Sequence, residues 1–354
     1  MHSSSDFTVP IIDISPYVLG DSSPDADADS DATARRGVAS KVDHACSTVG
    51  FMQIVGHGIR DEIVAGLAAA MDSFFGLDPA QKSAYICPPE LNRGYTAPKS
   101  ETLSLSLGLD SASGMNDYFE AFNVGTGEPN TWPESAGFRN AVELYFAEAA
   151  RVARTLTGVF ADALGESPNL FSRITDRSLD TLRMNNYALD PGTEVPEREL
   201  TGMSEHTDYG LVTVLWADRV PGLQVLGTDR LWHDVQPAEG AMLVNLGDLT
   251  ARLTNDRWMS TLHRVRPPVS GGTIQRRRSA AFFHDGNLDA VIAPLASCIG
   301  AGAVPRYRPV TVAEHIQAKL AGSRGGTANA SATREAERVR RSVTRPAVTR
   351  PAVT

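Results

Sequence analysis

Near residue 180 the hydrophobic pattern of this chain changes period, and that change limits the fold more than any other feature. Upstream, Val142, Tyr145, Phe146, Ala149, Val152, Leu156, Val159 and Phe160 recur at helical spacing from Phe138 to about Leu164, and Gly165 supplies a stop. Downstream, from Leu182 to about residue 292, apolar runs are short and are separated by Asp190-Pro191-Gly192, Pro221-Gly222 and Gly227-Thr228-Asp229. A helix does not persist through such turns, whereas short strands joined by them are the pattern of a sandwich or jelly roll. The chain is expected to be mainly β with flanking helices. A double-stranded β-helix (jelly-roll) core with a terminal helix spans 180–320, a supporting helix and connector span 136–179, and an N-terminal α/β region spans 1–135.

Within that N-terminal region, Phe7 to Ile14 reads as a strand, followed by an acidic, mobile Ser/Asp/Ala-rich loop from about Asp21 to Thr33. Val38, Val42, Ala45 and Val49 make an amphipathic helix, and Phe51 to Val55 a strand. Ile63, Leu67, Met71, Phe74 and Phe75 mark a second helix. A third opens at Asp78-Pro79-Ala80-Gln81, where Asp78 caps free amides and Pro79 occupies the first turn. From Cys87 to Pro133 the chain reads as loops with short strands. Thr311-Val312-Ala313-Glu314 is a capping box that opens the last helix. Beyond residue 320 the Arg-, Ala-, Ser- and Thr-rich sequence predicts a disordered tail over 321–354, able to cover a pocket mouth.

Composition narrows the class of partner. A formal charge of −9, with basic residues concentrated only at the C-terminal end, argues against nucleic acid and for small molecules. Three widely separated cysteines, Cys46, Cys87 and Cys298, fit free thiols in a reducing compartment better than a disulfide framework. With no basic-then-apolar leader and no long apolar run, the expectation is a cytoplasmic protein without membrane contact. Oligomeric state is not legible in the sequence.

Ser204-Glu205-His206-Thr207-Asp208-Tyr209-Gly210, with His263 after 54 intervening residues, carries the chemistry. In an extended strand alternate side chains share a face, so the His206 imidazole and the Asp208 carboxylate enter one cavity. His263 from a distant strand completes two imidazoles and one carboxylate on one face of an octahedron. Three cis positions are left open, as in non-haem Fe(II) centres. His233-Asp234 and His284-Asp285 also join imidazole to carboxylate, but adjacent strand residues face opposite ways. His57 and His44 are read as structural or exposed, and Asp248 as ordering the turn after its strand.

The surrounding residues resemble a known family. Val244-Asn245-Leu246-Gly247-Asp248, Ser260-Thr261-Leu262-His263-Arg264-Val265 and Arg277-Arg278-Ser279-Ala280-Ala281-Phe282-Phe283 resemble the isopenicillin N synthase branch of the Fe(II)- and 2-oxoglutarate-dependent dioxygenases. So do Val9 to Ile14, Gly50 to Ile59, Gly94-Tyr95 and Phe119-Glu120, and the resemblance covers all but the acidic loop and the tail. It implies Fe(II), 2-oxoglutarate and dioxygen, with ascorbate as a possible reductant. The metal falls to His206, Asp208 and His263, and the far carboxylate of 2-oxoglutarate to Arg277 and Ser279. Two residues apart on a strand, a guanidinium and a hydroxyl can share that carboxylate. Asn185-Asn186-Tyr187 resembles the family's N-x-Y element, which implies that Tyr187 donates to the same carboxylate and that Asn185 lies near the chelating end.

The implied reaction is hydroxylation, desaturation or ring formation on a small molecule with release of succinate and CO2. The Ala-, Gly-, Arg- and Pro-rich composition is what GC-rich coding gives, in keeping with specialised metabolism such as antibiotic biosynthesis. Phe283, Arg183, Arg93 and Tyr95 are the candidate substrate contacts. Phe283 lines the pocket or packs in the core, and Arg183 pairs with an acidic substrate group or steadies Tyr187. Arg276 and Arg278 belong to the opposite, solvated face. Two alternatives stand beside this reading: a 2-oxoglutarate-independent oxidase of the isopenicillin N synthase or aminocyclopropane carboxylate oxidase type, and a non-catalytic small-molecule binding protein.

Overall fold

Eight strands form the larger sheet, in the order β1 (Ile11–Asp13), β2 (Phe51–Val55), β10 (Met242–Leu246), β7 (Val212–Ala217), β14 (Arg277–His284), β5 (Asp180–Tyr187), β4 (Glu120–Gly125) and β3 (Gly94–Thr96). Every pairing in it is antiparallel except β1 with β2. The smaller sheet runs β6 (Met203–His206), β11 (His263–Val265), β8 (Leu223–Leu226), β9 (Trp232–Asp234), and a short hairpin pairs β12 (Val269–Ser270) with β13 (Thr273–Ile274). This computed structural model describes residues 7–18, 28–108, 117–188, 202–267, 269–270, 273–326, 328–329, 332, 334 and 337. The two larger sheets enclose a cavity as a jelly roll, and among the described residues no ladder joins them into a closed barrel.

Strand alternation decides what each face of the large sheet does. Met242, Val244 and Leu246 of β10, Val212 and Val214 of β7, Ala280 and Phe282 of β14, and Leu182 and Met184 of β5 turn outward into the main apolar core. That core is completed by the helices α2 (Ala28–Thr48), α3 (Asp61–Phe75) and α5 (Phe138–Leu164). The intervening residues, Leu243, Asn245, Thr213, Leu215, Ser279, Ala281, Arg183 and Asn185 among them, lie on the opposite face, and most of them line the cavity.

The helix α5 has the bounds its periodicity predicts, with Val142, Tyr145, Ala149, Val152, Leu156, Val159 and Phe160 all buried. Phe146 on the same stripe meets Phe282 edge-on at 5.1 Å, fixing the outer face of β14. Full burial of such a side chain stabilises by roughly 1.5–3 kcal/mol, so this one stripe fixes where β14 lies. Gly165 ends the helix at φ +66, a left-handed conformation, with its N–H on the Ala161 and Asp162 carbonyls.

Capping boxes form at both predicted helix starts. Asp78 and Gln81 start α4 (Pro79–Ser83), and Thr311 and Glu314 start α8 (Val312–Ser323), where Thr311 accepts from the Glu314 N–H. Short helices α1 (Ser15–Val18), α6 (Asn169–Thr175) and α7 (Asp248–Leu253) complete the set.

Two expectations are corrected. The acidic stretch is helical from Ala28, because Asp29 and Asp31 lie in the first turn of α2, where acidic side chains favour the exposed amides; residues 19–27 lie outside the described residues. The described part of the expected disordered tail is packed. The helix α8 runs to Ser323, Arg324 pairs with Glu101 at 2.9 Å, the Asn329 N–H donates to the Leu105 carbonyl, and Arg334 meets Asp256 at 2.6 Å. Low apolar content predicted no packing there, but these polar groups find charged and carbonyl partners on the body. Residues 338–354 lie outside the described residues.

Candidate active site

The strands β6 and β11 are antiparallel neighbours, and their register sets His206 directly opposite His263. The two rings lie 4.1 Å apart between centroids. The strand β6 stops at His206, two residues short of Asp208, yet Asp208 still turns to the same side. Its Oδ1 is 3.8 Å from His206 Nε2 and 3.6 Å from His263 Nε2. Thr207, between them, points the other way and donates to Asp248 Oδ2 at 3.1 Å. All three candidate ligands are buried, and one ligand atom from each lies within 4.8 Å of the others.

The hydrogen bonds behind these side chains suit a metal. His206 Nδ1 lies 2.8 Å from the Ser204 carbonyl and His263 Nδ1 3.1 Å from the Thr261 carbonyl, so each ring donates there and turns its Nε2 inward. Burial, with His263 alongside, keeps His206 neutral by pushing its imidazole well below the usual histidine range. Asp208 Oδ2 accepts from Thr213 Oγ1 at 2.5 Å and Asn245 Nδ2 at 2.6 Å, which leaves Oδ1 toward the histidines. Two imidazoles and one oriented carboxylate form a donor set for a divalent transition metal with open positions.

The same cavity holds the predicted anchor. The strands β14 and β5 pair Arg277 with Tyr187, Ser279 with Asn185, and Ala281 with Arg183. The register is the one the alternation rule requires. Arg276 and Arg278 face away and pair with Asp72 at 2.6 and 2.8 Å, while Arg277 is 2 % exposed and reaches inward. Its Nε and Nη1 are buried and have no hydrogen-bond partner among the described residues. The guanidinium lies 5.1 Å from the Tyr187 ring centroid, and Asn185 Nδ2 donates to Ser279 Oγ at 3.4 Å. A buried cation with two unmet donors is a site made for an anion, and a planar carboxylate suits its fork. The residues present therefore fit both Fe(II) and a diacid.

The four substrate candidates part company. Phe283 and Arg183 line the cavity, but Arg183 is turned to an internal acid, with Nη2 2.7 Å from Glu101 Oε2 and Nε 3.1 Å from Asn185 Oδ1. Its partner is not Tyr187. Arg93 and Tyr95 do not reach the cavity and are corrected. Arg93 donates to the Asn92 and Thr126 carbonyls at 2.9 and 2.5 Å, and Tyr95 donates to Glu120 Oε2 at 2.7 Å inside the Phe74 aromatic cluster. The reason is register. Tyr95 pairs with Phe122, which faces the helices, while the next residue, Asn123, faces the cavity.

Several residues that sequence reasoning missed belong to this site. Asn245 and Thr213 orient Asp208, and Asn245 lies within the Val244 to Asp248 run whose alternation already pointed it inward. Glu101 and Arg324 have no such signal, since a loop and the end of α8 meet only in the fold. Burial alone would raise the Glu101 carboxyl, but Arg183 and Arg324 hold it below the usual carboxylate range. Asp248 does more than order a turn. Lys319 of α8 contacts it at 2.6 Å, Ser260 donates to it at 2.7 Å, and its own N–H donates to the Asp208 carbonyl at 2.8 Å. His57 is structural as expected, 3.0 Å from the Gly240 carbonyl.

Comparison with known proteins points to the same class of chemistry. Residues 9–141 match the family described as non-haem dioxygenase in morphine synthesis N-terminal, and residues 179–286 match the 2OG-Fe(II) oxygenase superfamily. A 2-oxoglutarate-Fe(II) type oxidoreductase, hxnY, of Emericella nidulans is 32 % identical over 323 residues, covering 87 % of this chain and 88 % of that protein. The Validamycin A dioxygenase of Streptomyces hygroscopicus subsp. limoneus is 30 % identical over 315 residues, 84 % of this chain and 82 % of that one. Among solved structures, a full-length Neurospora crassa protein in complex with alpha-KG and thymine superposes with a TM-score of 0.76 at 26 % identity, over 90 % of this chain and 98 % of that one.

Proposed function

From the premise that the chain belongs to the 2OG-Fe(II) oxygenase superfamily, we propose that His206, Asp208 and His263 hold its Fe(II), while Arg277, Ser279 and Tyr187 hold the far carboxylate of 2-oxoglutarate. The protein is a 2-oxoglutarate-dependent Fe(II) dioxygenase, an oxidoreductase acting on a small molecule and using dioxygen. The 2-oxoglutarate-independent oxidase is not favoured, since the named relatives are 2-oxoglutarate enzymes. Fe(II), 2-oxoglutarate and dioxygen bound here would supply the oxidising chemistry for a substrate C–H bond, with succinate and CO2 as coproducts.

The observation that carries the residue assignment is the buried Arg277 guanidinium with two unmet donors, in the same cavity as the histidines and Asp208. The chain's own work is to bind, orient and exclude. Thr213 and Asn245 aim Asp208, and the Ser204 and Thr261 carbonyls hold the two rings with Nε2 turned toward it. Asn185 joins Ser279 to Arg183, linking the anchor to the substrate wall. His206, Asp208 and His263 line one cavity with Arg277 and Ser279, and it is there that the diacid and a small-molecule substrate would meet.

We place its work in the cytoplasm on a specialised metabolite, a reading supported by the −9 charge, the three free cysteines and the likeness to an enzyme named for validamycin. No helix among the described residues is long and apolar enough to cross a membrane. Metal retention and succinate release test the assignment together. His206→Ala, Asp208→Ala and His263→Ala are each expected to lose both iron and turnover, and normal iron content with normal turnover in any of them refutes it. Arg277→Ala is expected to weaken 2-oxoglutarate binding by roughly 3–5 kcal/mol, the loss found when one partner of a buried charged pair is removed.

A further inference from the structure

Among the described residues the charged groups that line the cavity pair off, with two exceptions, Arg277 and Asp285. Arg183 and Arg324 share Glu101 at 2.7 and 2.9 Å, Asp208 faces the two histidines, and Arg277 stands apart at the cosubstrate anchor. Asp285 has no hydrogen bond or ion pair among the described residues, although it is only 8 % exposed and lines the same cavity. It extends the inward row Arg277, Ser279, Ala281, Phe283 just past the end of β14, and so stands at the end of the cavity away from the anchor.

Its place is built. The Asp285 carboxylate lies directly over Gly210, two residues past Asp208, where an added Cβ would collide with it, so the bare backbone at 210 is what admits the acid. Burial, with Asp180 and Asp208 nearby, raises this carboxyl well above the usual range, as befits an acid removed from water with no cation beside it. Tyr209, Phe283 and, from α8, Ile316 and Leu320 add aromatic and aliphatic surface to the cavity wall.

We propose that Asp285 is the substrate anchor, and that the substrate carries a protonated nitrogen, as an ammonium, amidinium or guanidinium, on an apolar body. A buried lone carboxylate is costly, and a cationic N–H donor relieves that cost through a charge-assisted hydrogen bond. An N-acetylated or anionic ligand cannot form that ion pair, so the same residue favours the cationic compound over it. The proposal rests on the reading that Arg277 takes 2-oxoglutarate and leaves this end of the cavity to the substrate.

The experiment uses the full chain loaded anaerobically with Fe(II) and 2-oxoglutarate. Binding of ethylamine, hexylamine, benzylamine and agmatine is measured by calorimetry and thermal shift against the N-acetylated form of each, after a 2-oxoglutarate titration of the same sample. At least one amine is expected to bind at least tenfold more tightly than its N-acetyl form, and Asp285→Asn and Asp285→Ala are expected to erase that preference. A wild-type protein that binds 2-oxoglutarate but shows no amine preference, or none of these amines at all, overturns this proposal alone. Preference retained in both variants overturns it as well. A wild-type protein that fails to bind 2-oxoglutarate overturns the earlier reading and this one with it.

Discussion

Replacing Lys319 with methionine removes one charge from the interior and little volume, which makes it a direct test of how α8 is tied to the metal-site loop. Lys319 and Asp248 are 1 % and 4 % exposed and 2.6 Å apart, and Lys319 Nζ also donates to Thr207 Oγ1 at 3.4 Å. Asp248 in turn fixes Thr207, the residue between His206 and Asp208. Left without its cation, Asp248 becomes an uncompensated buried charge, a loss of about 3–5 kcal/mol. For a chain of this size that corresponds to a fall in melting temperature of roughly 4–7 °C. Burial alone would raise the Asp248 carboxyl, but Lys319 and His315 hold it well below its usual range. The sign follows: this stability is complete above the unfolded carboxylate range and is lost as pH falls through the folded value. Melting curves of wild type, Lys319→Met, Asp248→Asn and the double variant at about pH 7.5, inside the range where most proteins are most stable, provide the assay. The double variant is expected to recover part of the loss, because both charges leave together. A single variant within about 2 °C of wild type, or a double variant that loses the full sum, refutes the reasoning.

Asn245→Ala frees Asp208 Oδ2 from its 2.6 Å donor and is expected to weaken iron binding by roughly 10- to 100-fold, the usual effect of losing a group that orients a ligand; metal titration with a competing chelator checks it. Glu101→Gln leaves Arg183 and Arg324 facing a neutral partner. The Glu101 carboxyl is held low, so its stabilisation is lost as pH falls, and the acid limb of the stability profile, followed by melting temperature against pH, is expected to flatten in this variant. Tyr95→Phe is expected to leave 2-oxoglutarate affinity unchanged in a calorimetric titration, because that hydroxyl belongs to Glu120 on the far face of the sheet.

The parts of the fold and site that were legible in the sequence are those with short-range rules. The helix from Phe138 to Leu164 follows from a stripe at helical spacing ended by glycine, and the starts of α4 and α8 from four-residue motifs. Arg277 could be told from Arg276 and Arg278 because Ser279 fixes the parity of the strand. Arg93 and Tyr95 show where parity runs out. Chain position placed them near the site, but the pairing of β3 with β4 turned Tyr95 toward the helices and left Asn92 and Asn123 to line the cavity.

By itself the sequence determined which residues can ligate, which share a face and where the elements begin, since each depends on backbone geometry over a few neighbouring positions. Only the tertiary structure decided which charges neutralise one another. Glu101 with Arg183 and Arg324, Asp248 with Lys319, and the solitary Asp285 are separated by tens of residues or more from the groups that satisfy or fail to satisfy them. Electrostatic pairing is a matter of distance in space and removal from water, and both come into being only when the two sheets and α8 close around the cavity.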